Sequence, residues 1–546
     1  MDTAVLVMII LCIIYVPIWV WVWKRPEAAA RFHLVKYGPT VMIKTSLGIK
    51  TMDKLGKYKR FWLVFGFISK LISAILFFLM MYMLITAVIA LPSRIGQGGI
   101  GIQYALAIPG FNPMLPLTYG ILALFIAMVV HEMGHGIQSR ANDCKVDSTG
   151  LLYGVVPLGA FCEPNEKELG TLSRRAQMDV YSAGISVNTI VAIISFVLLF
   201  LLCSAMTMAD FGQEEDVSDL PGVFYIDQDS PAYDSGIPTS ALIISIRGAD
   251  EPETVEHMVE AIVDPKAVSF KTTDGYEISP LNYYYLNYVL SDGLAHTSET
   301  PIQLGALIKT ITNNSPAKSA GLEPLSFLYS ITITRDGTTM DEAFISSSYD
   351  FHIFMEEETK AGDLALVKTV TISDDGNPQI IEHEQVTLTS SGSHGFLGLS
   401  ATDSGFTMTT PNAMLDKSVD PFYGASSPIE FVQAFFKYLS GPFNGLDPIP
   451  SSITWWYDAP MGDSTWVVVK TLYWLFWLDI LLAISNALPA FPFDGGFLFE
   501  GGINWLLERL GIKDDERRKK LSESGSSAVS SVVLLMFFLV LLTFII

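Results

Sequence analysis

Ile121-Leu122-Ala123-Leu124-Phe125-Ile126-Ala127-Met128-Val129-Val130-His131-Glu132-Met133-Gly134-His135 runs from an apolar stretch directly into two histidines that flank a glutamate. On a helix, residues i and i+4 share a face, so both imidazoles can hold one Zn²⁺ while the adjoining glutamate works on a bound water. No charge occurs from Leu115 to Val130, which reads as membrane rather than as the wall of a watery cleft. Strongly charged residues at mid-membrane cost roughly 2.5–3.5 kcal/mol each, so ionisable groups there usually mark a site. With 8 His and 56 acidic residues in 546, chance would supply H-[DE]-x-x-H roughly 0.01 times. The plain alternative is a pair of packed or capping histidines, and a third ligand would decide between the two.

Working outward, the rest of the chain fits a membrane setting. Half of its residues are hydrophobic and the mean hydropathy is +0.39, too apolar for a soluble protein of this size. Stretches long enough to cross about 30 Å of hydrocarbon lie near 4–23, 65–91, 115–139, 180–208, 465–488 and 528–546, with Lys70 inside the second. The sequence therefore predicts a polytopic α-helical membrane protein of about six transmembrane helices. The first stretch ends at Lys24-Arg25 without a small-residue cleavage site, so it reads as a retained anchor. Ten Lys/Arg against Glu27 and Asp53 lie between residues 24 and 60. Two further basic groups are Arg174-Arg175 and the set Lys513, Arg517, Arg518, Lys519 and Lys520. All three fall on one side if six spans alternate, and that side is the cytoplasm. Both termini and residues 209–460 are then expected outside the cell.

The external stretch holds 10 Lys/Arg and 37 Asp/Glu, so nucleic acid is not an expected partner. None of Cys12, Cys144, Cys162 and Cys203 lies in it, so it carries no disulfide framework. Instead it repeats itself. Ser230-Pro231-Ala232-Tyr233-Asp234-Ser235-Gly236-Ile237 recurs as Ser315-Pro316-Ala317-Lys318-Ser319-Ala320-Gly321-Leu322. Each copy is followed by a β-rich run and a turn, Arg247-Gly248-Ala249-Asp250 and Arg335-Asp336-Gly337. This pattern resembles PDZ domains, which bind a peptide as an added strand; generic β modules without a groove are the alternative. Gly395-Phe396-Leu397-Gly398-Leu399 is placed at the close of the second module. Pro428 to Leu439 alternates aromatic and charged residues, as a helix in the outer membrane interface or on the domain surface would.

A catalytic zinc typically has three protein ligands and one open position. The fifth span ends Asn486-Ala487-Leu488-Pro489-Ala490-Phe491-Pro492-Phe493-Asp494-Gly495-Gly496. Two prolines and two glycines cannot continue a helix, so the backbone opens and Asp494 is free to turn toward a metal; read alone the segment is an ordinary turn, and the HExxH on a span end at the same side favours the ligand. His131-Glu132-Met133-Gly134-His135-Gly136 together with Asn486…Pro489…Pro492…Asp494-Gly495 resembles the site-2 protease family of intramembrane zinc metalloproteases. Gly154-Val155-Val156-Pro157-Leu158-Gly159-Ala160-Phe161 and Ala183-Gly184-Ile185-Ser186-Val187-Asn188 match as well, with Ile185 where the family has proline. The resemblance covers about 115–208 and 465–505. It implies one Zn²⁺ per chain on His131, His135 and Asp494, with Glu132 as general base and later acid. Asn486, and also Asn188, would steady the substrate or its oxyanion. Asp479, seven residues before Asn486, has no assigned role.

The expected domains are 1–114 (N-terminal helices and a basic cytoplasmic loop), 115–208 and 461–507 (the two halves of the membrane core), 209–460 (the external PDZ-like domain) and 508–546 (a cytoplasmic loop and last helix). If hydrocarbon begins near Leu117, His131 lies about 14 residues in, or about 21 Å. That leaves roughly 9 Å to the cytoplasmic edge. By resemblance, the partners are membrane-anchored protein substrates in the lipid bilayer, whose helices must unwind before cleavage, with Leu151–Phe161 as the candidate edge strand that receives them. Two other classes remain: a silent membrane scaffold with a structural zinc site, and a transporter. The intact Glu132 argues against the first and the scarcity of further intramembrane charge against the second.

Overall fold

Uncharged apolar runs can satisfy their backbone only internally in lipid, and here they do so as helices. The computed structural model describes residues 3–94, 109, 112, 115–155, 157–209, 217–264, 268–373, 377–391, 394–444 and 449–542. The first run is helix α1 (Thr3–Lys24), with Cys12–Lys24 as its apolar stretch. Five further helices have the length and composition of membrane spans: α3 (Lys59–Ile89), α4 (Leu117–Ala141), α5 (Arg174–Ser204), α6 (Ser464–Asn486) and α8 (Asp515–Leu542). Phe67, Ile68, Leu71, Ile75 and Phe78 of α3 are exposed, as lipid-facing side chains would be. The chain forms two compact units, one of residues Met1–Leu202, Leu439–Leu446 and Trp466–Ile546, the other of Cys203–Tyr438 and Asp447–Thr465.

In the membrane unit the basic loop has structure that its charge hid. Strands β1 (Leu34–Tyr37) and β2 (Thr40–Thr45) form a hairpin, and helix α2 (Ile49–Gly56) follows. β2 pairs antiparallel with β3 (Val146–Tyr153), which pairs with β4 (Pro157–Pro164), giving a four-stranded sheet in the order β1-β2-β3-β4. Gly150 permits this: a methyl group there would lie 2.0 Å from the Ile43 carbonyl oxygen and 2.6 Å from the Phe161 ring. Leu151–Phe161 thus spans the turn of a hairpin, and the edge strand is β4, because β2 covers β3. The last basic cluster is also not a free loop, since Arg517–Lys520 belong to the first turns of α8.

The second unit is β-rich, with antiparallel pairing among its main strands. Its main strands are β5 (Gly222–Ile226), β6 (Leu242–Gly248), β7 (Tyr283–Val289), β8 (Ala306–Ile311), β9 (Phe327–Arg335), β10 (Leu364–Ile372), β11 (Leu399–Asp403) and β12 (Phe406–Thr409). They lie in the order β7-β6-β5-β12-β11-β8-β9-β10. Two cores result: Val223, Ile243, Tyr284, Leu286 and Met408 in one, Ile308, Leu328, Ile331, Val367 and Leu397 in the other. The second module is nested within the first, whose closing strand β12 comes only after it. The seam is narrow, because the Ser404 N–H donates to the Gly305 carbonyl (3.0 Å) and the Gly305 N–H donates to Ser404 Oγ (3.1 Å).

The sequence repeat is a structural one. Ser230 and Ser315 each cap a short helix, accepting from the N–H of Tyr233 and of Lys318. Ala232 and Ala317 are fully buried and donate to the carbonyls of Ser404 and Leu397. Beside each cap stands a glycine with positive φ, Gly405 (96°) and Gly398 (87°), where a methyl group would meet the serine Cβ at 2.2 Å. Gly398 belongs to the stretch placed at the close of the second module, and Leu397 joins that module's core. Residues Pro428–Ser440 form a helix on which Ile429, Phe431 and Val432 are exposed.

Candidate metal centre

His131 and His135 lie one turn apart on α4 and both are buried. Asp494 opens helix α7 (Asp494–Arg509), directly after the proline-broken segment. That segment folds back on the end of α6: a methyl group at Gly495 would lie 2.4 Å from the Ala487 carbonyl oxygen, and one at Gly496 would crowd the Ala490–Phe491 backbone at 2.9 Å. The two glycines therefore allow the turn that brings the carboxylate to the histidines.

The three side chains make a nearly equilateral triangle. His131 Nε2 to His135 Nε2, His131 Nε2 to Asp494 Oδ2 and His135 Nε2 to Asp494 Oδ2 are each 3.2 Å. His135 Nδ1 donates to the Val180 carbonyl at 2.8 Å, since a carbonyl can only accept. This fixes the tautomer and turns the Nε2 lone pair toward the other two atoms. His135 Nε2 and Asp494 Oδ2 are then both acceptors 3.2 Å apart, a pair that repels unless a proton or a cation sits between them. Four ligands at about 2.0–2.1 Å from a tetrahedral Zn²⁺ stand about 3.3–3.4 Å apart, so the spacing fits. Among the described residues these three form the group of His, Cys, Asp and Glu side chains disposed to hold a metal ion.

Small residues make the centre fit its surroundings. Gly184 of α5 lies against the imidazoles, and a methyl group there would approach His135 Nε2 to 2.4 Å and His131 Cε1 to 2.7 Å. Gly134 admits the Ala183 carbonyl of the same helix. Gly136 admits Met52 of α2 and the Cys162 sulfur of β4. Thus helix α2, from the basic loop, packs on the back of the metal helix.

Glu132 lies beside the triangle. Its Oε2 accepts a hydrogen bond from the Cys162 backbone N–H at 2.7 Å. Cys162 is opposite Thr149 in the sheet, so this N–H leaves β4 on the side away from β3. The free edge of β4 therefore borders the glutamate. Asn486 is the last residue of α6, its Nδ2 donating to the Leu482 carbonyl at 3.0 Å. Asn188 sits one turn beyond Gly184 on α5, fully buried, with neither amide atom partnered among the described residues. Asp479 is buried within α6, likewise unpartnered, and stands outside the ligand triangle. Sequence reasoning named the triangle and the glutamate. It missed the Val180 carbonyl and the Cys162 amide, because backbone groups carry no residue-type signal.

Residues 119–539 match the family model of peptidase family M50. An uncharacterized protein of Methanocaldococcus jannaschii is 38% identical over 160 residues, which cover 29% of this chain and 42% of that protein. The match thus spans less than half of that relative.

Proposed function

The chain belongs to peptidase family M50, and on that premise we propose that it is an intramembrane zinc endopeptidase cutting peptide bonds within or next to the transmembrane segments of anchored proteins. The observation that carries the reading is the 3.2 Å triangle of His131, His135 and Asp494 beside Glu132, on a helix whose preceding turns are wholly apolar.

His131 Nε2, His135 Nε2 and Asp494 Oδ2 would hold the ion. When bound, zinc supplies a water acidic enough to ionise near neutral pH and a Lewis-acid hold on the scissile carbonyl. The Glu132 carboxylate takes the nucleophile's proton and later returns it to the leaving amine. The Cys162 N–H keeps that carboxylate aimed at the centre. The Asn486 amide, one of the few side-chain donors near the broken segment, binds the substrate carbonyl or its developing oxyanion, with Asn188 a second donor of the same kind. An unwound substrate segment adds to the free edge of β4, which satisfies its backbone and lays it across Glu132. The site is served by water from the cytoplasmic side, about 9 Å away.

Outside the membrane, the nested modules act as PDZ-like gates that admit substrates already shortened by another protease. Support comes from the shared serine cap, buried alanine and positive-φ glycine. Removing the gate is expected to widen the range of substrates cut; an unchanged range rejects it.

Glu132→Gln tests the chemistry. The variant should retain one zinc per chain while cleavage of a tagged single-span substrate falls at least about 100-fold. Unchanged cleavage, or cleavage surviving complete zinc removal, overturns the proposal.

A further inference from the structure

Lys70 lies inside α3, a helix with the length and composition of a membrane span, where a charge needs a reason. Its Nζ contacts Asp179 Oδ1 of α5, and the Asp179 side chain is 2% exposed. The same face of α3 reaches further into the centre. Gly66, one turn before Lys70, leaves room for the Asp179 carboxyl and the Gln138 amide, which a methyl group would meet at 2.6 and 2.7 Å. Gln138 lies one turn after His135 and donates to the Trp62 carbonyl at 3.1 Å. Two turns along α5 from Asp179, Ser186 Oγ donates to the Ser69 carbonyl at 3.2 Å.

Helix α3 therefore holds α5 at both ends of the segment 179–186. Between those ties lie Val180, whose carbonyl orients His135, and Gly184, which borders both imidazoles. A slide of α5 by a fraction of a turn would carry the Val180 carbonyl away from His135 Nδ1 and press helix backbone onto the rings. We propose that Lys70 and Asp179 are positioning residues: their intramembrane ion pair sets the register of α5 against the metal helix and so holds His135 in its ligating geometry. Neither residue touches the ligand atoms. The proposal rests on the zinc reading above.

The test uses the full chain in lipid nanodiscs. Lys70→Met with Asp179→Leu removes both charges without leaving one orphaned, an exchange that buried pairs often tolerate. The expected result is a folded protein whose zinc affinity, by chelator competition, is about 10- to 100-fold lower, the usual effect of losing a partner that orients a ligand. Its Co²⁺ visible absorption bands should shift as well. Lys70→Arg and the exchanged pair Lys70→Asp with Asp179→Lys should bind zinc as the natural chain does. Ser186→Ala, which removes the second tie and disturbs no charge, should weaken zinc about threefold. Wild-type zinc affinity with unshifted Co²⁺ bands in the neutral double variant overturns the proposal. If that variant does not fold, wild-type affinity in Ser186→Ala, or a folded exchanged pair that binds zinc poorly, does so instead. Failure of the zinc reading looks different, since the natural chain would then bind no zinc that His131→Ala abolishes.

Discussion

Gly184→Ala sets local propensity against the metal centre. In a helix, alanine is favoured over glycine by about 1 kcal/mol, so helix α5 alone should tolerate or welcome the change. The added methyl would stand 2.4 Å from His135 Nε2, whereas ordinary contact begins at 3.4 Å. The ring, or the whole helix, must therefore move by about 1 Å, several times the ±0.2 Å or so within which ligand distances must hold. Zinc affinity should fall at least about 100-fold, equivalent to about 2.7 kcal/mol, and cleavage should fall with it at limiting zinc. Chelator competition on the purified protein, with a thermal melt in the apo state, measures both sides of the argument. Gly170→Ala, where a methyl meets nothing within 4 Å, is the control. A Gly184→Ala protein that fills with zinc at wild-type affinity would refute the claim that this glycine exists to make room for the imidazoles.

Burial raises the Asp403 carboxyl to about 6, against about 3.9 for a free aspartate. Stability from its protonated form is thus fully present below about pH 4 and lost as pH rises through 6. Asp403→Asn keeps an acceptor for the Ser348 N–H, now 2.6 Å from Oδ1; it should match the natural chain near pH 4 and exceed it by up to about 3 kcal/mol at pH 8 in thermal melts. An equal difference at both pH values would contradict this. Gly150→Ala should part β2 from β3 and increase hydrogen exchange in 40–45 while zinc binding persists; unchanged exchange would show that the hairpin does not depend on that close approach. Ser230→Ala and Ser315→Ala should each cost about 1 kcal/mol of stability in the β-rich unit, and a cost at one site alone would break the equivalence of the two caps.

How far the fold could be read in advance depended on how local each signal was. His131, Glu132 and His135 announce themselves because their spacing is a helix period, and the Pro489–Pro492–Asp494 segment because prolines and glycines forbid a helix where hydropathy demands one. The paired caps were legible because Ser, Pro, Ala and Gly each have one structural use there. The β1–β2 hairpin was not: its strands are short and interrupted by lysine, and β2 finds its partner β3 more than a hundred residues away. Nor was the nesting of the modules, since Phe406–Thr409 carries no mark that it closes a core begun at Val223. Lys70 read only as a flaw in an apolar run until Asp179 appeared beside it.

The seam between Gly305 and Ser404 has a consequence for the engineering of the molecule. Residues 306–403 leave and rejoin their host at two amino acids already hydrogen-bonded to each other. A short glycine bridge between them would need almost no rearrangement. The inner module is thus built like a cartridge, removable in principle while the strands of the outer module stay as they are. Excising or swapping that cartridge would alter this unit without touching a single residue of the His131–His135–Asp494 triangle.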